Sequence, residues 1–287
     1  MPDKMTQDKF SVGLVQMSSS NQRAENMISA EAMIRLAAAE GAGLVMTPEM
    51  TPLLELNRKA LLGKIYTEDE DPSLATFRAL ARELKIWLMI GSMAVRPSDD
   101  QDEKIANRCY VIAPDGAIAA RYDKIHMFDV DLPSGEQYRE SRSYQPGEMA
   151  VVTALPWGKA GLSICYDVRF PQLYRKLAQA GAVMLTVPAA FTRVTGEAHW
   201  HALLRARAIE NGAYVFAPAQ TGRHVSATGD ARETYGHSLI IDPWGNIMDD
   251  GGTETGVIVA EIDLGLVKKV RSRVPSLDHD RSFEVNR

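Results

Sequence analysis

The chain has 287 residues, of which 45% are hydrophobic and 24% are charged, and its formal net charge is −5. These values exclude disordered and collagen-like classes and favour a globular protein with a sizeable core. The acidic balance argues against nucleic-acid or anionic-membrane partners. Two cysteines are too few for a disulfide scaffold, and no apolar run approaches the roughly 18 residues of a membrane span, so we expect a cytoplasmic protein.

Short β-rich apolar runs recur along the whole chain and predict buried strands. Several are continuous rather than alternating, which is typical of strands that are covered on both faces. The predicted strands are 10–17, 43–47, 86–95, 109–113, 160–164, 182–187, 213–218, 237–241 and 256–262.

Helical periodicity lies between these runs. Apolar positions at 30, 33, 34, 37 and 38 predict a first helix that Gly41 ends. Asp71 and Pro72 form a helix cap and first-turn pair, and Pro171 opens a third helix. A fourth helix is predicted from about residue 197 to 211, with Gly212 at its end.

The order of strands and helices predicts an α/β fold. The pattern before residue 150 is nearly repeated after it, with a connecting segment at about 121–148, which suggests two facing sheets with helices outside each. No linker composition marks an internal boundary. We expect a single domain over 1–287, with a core at about 10–265 and a C-terminal tail at about 266–287.

Three side chains that could carry chemistry follow predicted strands: Glu49, Lys124 and Cys165. Strand carboxyl ends face the usual ligand crevice of α/β proteins. A helix beginning just after Cys165 would lower the pKa of its thiol. Taken singly, each residue is more often a buried cysteine or a surface charge. Together they could supply a nucleophile, a base and an oxyanion partner.

The chain resembles the nitrilase superfamily of carbon–nitrogen hydrolases, in its Nit-type amidase branch. The resemblance runs from about residue 11 to about 275 and includes several motifs in order. These are 47–49 (TPE), 122–129 (YDKIHMFD), 161–171 (GLSICYDVRFP), 196–210 (GEAHWHALLRARAIE), 235–238 (YGHS) and 242–245 (DPWG).

The resemblance implies an α-β-β-α sandwich with a catalytic triad of Glu49, Lys124 and Cys165. It also implies a second pocket glutamate sixteen positions after the lysine, which is Glu140 and not the nearby Glu136. The expected reaction is hydrolysis of a small carboxamide to an acid and ammonia through a thioester. The Tyr166 backbone N–H and Lys124 would hold the oxyanion, and no metal or organic cofactor is expected.

The resemblance further implies substrate contacts from Arg169, Phe191 and Thr195. Since a guanidinium suits a carboxylate, the expected substrate is an amide that also bears a carboxylate. Deaminated glutathione or another ω-amide of an α-keto or dicarboxylic acid fits this description. The segment after Glu49 and a long loop at 222–234 would shape the pocket mouth. The family also implies a homodimer or larger homo-oligomer.

Other interpretations are kept as alternatives. The enzyme could be a nitrilase or an N-carbamoyl amino-acid hydrolase, or the chain could be a binding protein on the same fold. A structural ion pair with Asp167 or another acid is the alternative role for Arg169. His199 and His201 lie two residues apart on a predicted helix and point away from each other, which argues against a shared metal. Cys109 is interpreted as a core residue.

Overall fold

The structure is a computed structural model, and it describes residues 8–97, 104–132, 135–229 and 231–286. The strands are β1 (Lys9–Gln16), β2 (Leu44–Met46), β3 (Trp87–Val95), β4 (Ala106–Ile112), β5 (Ile118–Asp123), β6 (Asp129–Asp131), β7 (Gln137–Arg139), β8 (Val152–Ala154), β9 (Lys159–Gly161), β10 (Ala182–Thr186), β11 (Tyr214–Ala217), β12 (Thr221–Val225), β13 (Ala231–Tyr235), β14 (Leu239–Ile241), β15 (Ile247–Asp250) and β16 (Gly256–Asp263). The helices are α1 (Arg23–Ala39), α2 (Arg58–Leu62), α3 (Pro72–Leu84), α4 (Pro171–Gln179), α5 (Arg193–Asn211) and α6 (Gly265–Arg273).

The strands form two large sheets with matching layouts. The first sheet has the order β16-β1-β2-β3-β4-β5, and the second has the order β15-β14-β11-β10-β9-β8. The central strands are parallel in both sheets, namely β1, β2 and β3 in the first and β9, β10 and β11 in the second. The repeated pattern in the sequence therefore corresponds to two similarly built sheets, as predicted.

Each sheet is covered on both faces. In β1, Leu14 points into the core cluster that also holds Phe216 of the second sheet, whereas Val15 packs with Ile34 of α1. Two apolar faces on one strand explain the continuous hydrophobic runs. The predicted α-β-β-α sandwich is confirmed, and Val267 of α6 also packs into the core between the sheets.

The helix termini follow local sequence signals. The Asp71 side chain accepts hydrogen bonds from the Ser73 and Leu74 amides at the start of α3. Gly212 ends α5 with a φ of 52°, in the left-handed region that glycine tolerates without steric cost. Helix α5 begins at Arg193, earlier than predicted, so its first turn lies beside the site described below.

The segment 222–234 is not an irregular loop, because most of it forms the hairpin β12–β13. Its strands are polar, and hydrogen bonds to buried groups hold it in place. The His224 ring lies 2.7 Å from Ser19 O and 2.7 Å from Thr234 Oγ1. Hydrophobic periodicity does not detect a strand that is held in this way.

Candidate active site

Glu49 lies in a tight loop immediately after β2. The Thr51 hydroxyl donates to Pro48 O at 2.6 Å, and Thr47 N donates to Met89 O at 3.0 Å. Gly91 on the neighbouring strand lets this loop approach closely, since a Cβ there would overlap the loop backbone. The Glu49 side chain is consequently only 5% exposed.

Glu49 is buried but fully bonded. Its Oε1 accepts from Lys124 Nζ at 3.2 Å and from Asn107 Nδ2 at 2.9 Å, and its Oε2 accepts from Ala190 N at 2.8 Å. Burial favours the neutral acid, but the charges of Lys124 and Arg232 and the hydrogen bond from Ala190 N outweigh burial and hold the pKa of Glu49 below its usual value. The carboxylate is therefore ionised and able to accept a proton.

Lys124 is held between two carboxylates. Its backbone continues the pairing of β5 with β4, since Lys124 N donates to Asn107 O. Its Nζ lies 2.7 Å and 2.9 Å from the two carboxylate oxygens of Glu140, and Phe128 N also donates to Glu140 at 2.7 Å. Burial would lower the pKa of Lys124, but the Glu140 and Glu49 carboxylates raise the pKa by more than burial lowers it. Lys124 therefore remains an ammonium.

Cys165 sits on a sharp turn between β9 and a 3₁₀ turn over Cys165–Arg169. Its φ is 49°, an uncommon conformation for a residue with a side chain. Asp167 holds the turn, because its carboxylate accepts Ile164 N at 2.9 Å and the Tyr122 hydroxyl at 2.6 Å. Cys165 N donates to Pro188 O at 2.9 Å.

The expected lowering of the Cys165 pKa by a following helix is wrong. Burial, and then the neighbouring Glu49 carboxylate, raise the pKa of the thiol above its usual value, although Lys124 and Arg232 act in the other direction. The resting pair is therefore a neutral Cys165 thiol beside an ionised Glu49. This state favours a mechanism in which a base removes the thiol proton while the sulfur attacks, over a mechanism in which a thiolate forms beforehand.

Glu49, Lys124, Glu140 and Cys165 share one cavity of about 470 Å³. This is within the range of small-molecule sites. Three of the four residues expected to contact substrate also line it: Tyr166, Phe191 and Thr195.

Arg169, the fourth expected substrate residue, does not line this cavity. Its guanidinium lies 5.3 Å from the Phe191 ring centre and 5.8 Å from the Tyr166 ring centre, and it bonds His199 at 3.3 Å. The alternative ion pair with Asp167 does not form, because that carboxylate is committed to the turn around Cys165.

Sequence reasoning missed two residues. Asn107, in β4, donates to Glu49 at 2.9 Å and approaches Glu140 at 3.4 Å. Pairing of β4 with β5, which places Asn107 opposite Lys124, is the signal that could have identified it. Arg232, in β13, lines the cavity beside Ala190. It was overlooked because its segment was interpreted as a loop.

The remaining candidates lie outside the cluster of Glu49, Lys124, Glu140 and Cys165. Cys109 is fully buried in β4, as expected of a core residue. Glu136 is exposed at the cavity rim, and not beside Lys124. His199 and His201 contact different partners, as their spacing predicts. His201, His237 and Asp250 could hold a metal ion, but the Asp250 carboxylate already bonds both rings, at 3.2 Å and 2.9 Å.

The fold and the side-chain cluster together define an enzyme of the carbon–nitrogen hydrolase class, and comparison with known proteins agrees. The profile of the carbon–nitrogen hydrolase family matches residues 11–272. The chain belongs to this family. It is therefore a hydrolase that acts on carbon–nitrogen bonds other than peptide bonds.

Curated relatives narrow the similarity within the family. The chain is 42% identical over 272 residues to the deaminated glutathione amidase of Synechocystis sp. strain PCC 6803, covering 92% of this chain and 96% of the relative. It is 41% identical over 276 residues to the mouse enzyme of the same name, covering 94% of this chain and 83% of that one.

Solved structures show the same architecture. The NitFhit protein of C. elegans superposes with a TM-score of 0.86 at 36% identity, covering 95% of this chain and 65% of that longer one. Nit3 of Saccharomyces cerevisiae, a member of branch 10 of the nitrilase superfamily, superposes with a TM-score of 0.81 at 30% identity, covering 96% and 97%. Within the described residues, no helix has the length and apolarity to cross a membrane.

Proposed function

We propose that the protein is a cysteine amidase whose substrate is an ω-amide that also bears a carboxylate, and that deaminated glutathione is the first substrate to test. The observation that carries this proposal is the bonded cluster of Glu49, Lys124 and Glu140 facing Cys165 in one cavity. Relatives at about 40% identity named for deaminated glutathione support the choice of substrate.

In the acylation step, Cys165 Sγ attacks the amide carbonyl carbon while Glu49 takes the thiol proton. The Lys124 ammonium and the Tyr166 backbone N–H stabilise the oxyanion, and removing such a donor typically costs about 3–4 kcal/mol of barrier. The C–N bond then breaks, Glu49 returns the proton to the leaving nitrogen, and the acyl group remains on sulfur as a thioester.

In the deacylation step, Glu49 takes a proton from water, and the hydroxide attacks the thioester carbonyl. The C–S bond breaks, the proton returns from Glu49 to sulfur, and the carboxylic acid leaves. Glu140 keeps Lys124 fixed through two contacts of 2.7 Å and 2.9 Å. Every proton and electron pair is thus moved by side chains of this cluster, by the substrate and by water.

The identity of the leaving amine depends on the substrate. A primary ω-amide releases ammonia. In deaminated glutathione the amide nitrogen belongs to a cysteinylglycine unit, so cysteinylglycine leaves instead of ammonia. The cavity of about 470 Å³ has room for a substrate with groups on both sides of the amide.

We also propose that the enzyme acts in the cytoplasm as a homodimer or larger homo-oligomer. Large apolar side chains on the outer surface support self-association: Ile209 of α5 is 52% exposed and the nearby Trp244 is 55% exposed. Sedimentation of the purified protein tests this, and a monomer at all concentrations would contradict it.

The substrate proposal is tested by incubating the protein with deaminated glutathione, a primary ω-amide acid, an N-carbamoyl amino acid and a nitrile. Acid and amine products are followed by mass spectrometry, with Cys165→Ala as the matched control. We expect cysteinylglycine release by the wild type and none by the variant. Turnover of the nitrile or the carbamoyl compound alone would replace this proposal with one of those activities.

A further inference from the structure

Arg232 is a cation in the wall of the active-site cavity that has no carboxylate partner among the described residues. Among the cavity's other cations, Lys124 is paired with Glu49 and Glu140, and Arg139 bonds Asp131 at 2.7 Å. No carboxylate of the described residues pairs with Arg232.

Its guanidinium is fixed in place by the protein. One Nη donates to Ala190 O, and the group lies 5.2 Å from the Tyr138 ring centre and 6.0 Å from the Phe128 ring centre. Its Nε is buried and has no hydrogen-bond partner among the described residues. Since a buried donor without a partner is costly, the guanidinium has hydrogen-bonding capacity that the described residues leave unused.

The position of Arg232 relative to the reacting groups is equally specific. Ala190 accepts from Arg232 through its carbonyl and donates to Glu49 through its amide at 2.8 Å. One residue therefore separates the arginine from the proposed base. The charge of Arg232 also helps to lower the pKa of Glu49, which shows that it is electrostatically close to the cluster.

The hairpin β12–β13 directs Arg232 into the cavity. Arg232 pairs with the buried His224, whereas the next residue, Glu233, pairs with the exposed Arg223 and bonds Arg193 on the outside. Because side chains alternate along a strand, the hairpin presents one arginine to the cavity and another, Arg223, to solvent.

Charge determines what kind of ligand fits. Glu49 and Glu140 carry two negative charges against the single positive charge of Lys124, so this cluster alone would repel an anionic substrate. Arg232 supplies the missing positive charge, and a guanidinium fork matches a carboxylate. We infer that Arg232 binds a carboxylate of the substrate, and that it has the role the sequence assigned to Arg169.

This inference rests on the proposed amidase function and is tested with two substrates that differ mainly in charge. Succinamate carries a carboxylate where succinamide carries a second carboxamide, and both release ammonia. In Arg232→Gln we expect kcat/KM for succinamate to fall roughly 30- to 1000-fold more than kcat/KM for succinamide, as for loss of a buried charge contact. Arg232→Lys should recover part of the loss.

Arg223→Gln is the matched control, since it removes the exposed arginine of the same hairpin and should leave both substrates unaffected. Equal loss on both substrates in Arg232→Gln would mean that Arg232 only positions Ala190 and Glu49, and would overturn the inference. Loss of the charge preference in Arg169→Gln, with Arg232→Gln unchanged, would overturn it in favour of Arg169.

A binding measurement separates this inference from the proposed function. Calorimetric titration of the Cys165→Ala protein with succinate needs no turnover. If Arg232 binds a carboxylate, succinate binds the Cys165→Ala protein and binds the double variant Cys165→Ala/Arg232→Gln much more weakly. This result is expected even if the wild type hydrolyses neither amide. Equal succinate affinity with and without the Arg232 side chain, or no succinate binding at all, contradicts the inference.

Discussion

Asn107 offers a sharp test of how the carboxylate cluster works. Its Nδ2 donates to Glu49 at 2.9 Å and lies 3.4 Å from Glu140, while its Oδ1 is buried without a partner among the described residues. The opposite amide orientation would point the oxygen at two carboxylates and is excluded by repulsion. The perturbation is Asn107→Ala.

The expected effects on stability and activity differ. Losing a hydrogen bond to a charged acceptor costs about 1.5–3 kcal/mol, and removing the unpaired carbonyl returns about 1–3 kcal/mol. With a small cavity added, the free energy of unfolding should fall by only about 1–2 kcal/mol. Activity should fall about 100-fold, because Glu49 loses the contact that orients it towards Cys165.

Asn211 provides an unusually close control. It is also buried, and its Oδ1 also has no partner in the part of the chain that the structure describes. Its Nδ2 makes contacts of 2.9 Å to Arg207 O and 3.4 Å to Glu210. It lies at the end of α5 and does not line the active-site cavity. Asn211→Ala should therefore show a similar stability change and normal activity.

The assays are urea unfolding and kcat/KM for succinamide. If Asn107→Ala and Asn211→Ala lose activity equally, or if Asn107→Ala keeps full activity, the orienting role of Asn107 is refuted.

The geometry around Glu49 leads to three further predictions. Because the pKa of Glu49 is lowered and that of the Cys165 thiol is raised, Glu49 stays ionised as the pH falls through the usual carboxylate range, and the acid limb of kcat/KM should lie below about pH 4.3. Glu49→Gln should slow the labelling of Cys165 by iodoacetamide at neutral pH. An acid limb near pH 6, or unchanged labelling, would contradict the role of Glu49 as the base. Gly91→Ala should destabilise the fold by about 3 kcal/mol or more, since a Cβ there would overlap Thr47 O and lie 2.5 Å from Pro188 Cβ; a normal unfolding midpoint would refute the close packing.

The architecture was largely readable from the sequence. Continuous apolar runs identified strands that are covered on both faces, and Asp71 with Pro72 located the start of α3. The polar hairpin β12–β13 could not be found in the same way, because hydrogen bonds from His224 hold it in place of apolar packing. Short strands such as β6 and β7 also lack enough residues to show a period.

The sequence also predicted part of the candidate site. Glu49, Lys124 and Cys165 follow strands, so the strand positions and the family motifs together predicted that they lie at one edge of the sandwich. The thiol pKa was misjudged because it depends on burial and on a carboxylate distant in sequence. The location of Arg232 in the cavity wall depends on where the hairpin β12–β13 packs, and no local sequence pattern predicts that position.

The central claim is that Cys165 carries the acyl group between two half-reactions. Intact-mass spectrometry of the rapidly quenched protein with succinamate tests it most directly. A mass increase equal to one succinyl group, mapped to the peptide that contains Cys165 and absent from Cys165→Ala, is the predicted result. Turnover without any adduct, together with an active Cys165→Ala protein, would contradict the mechanism.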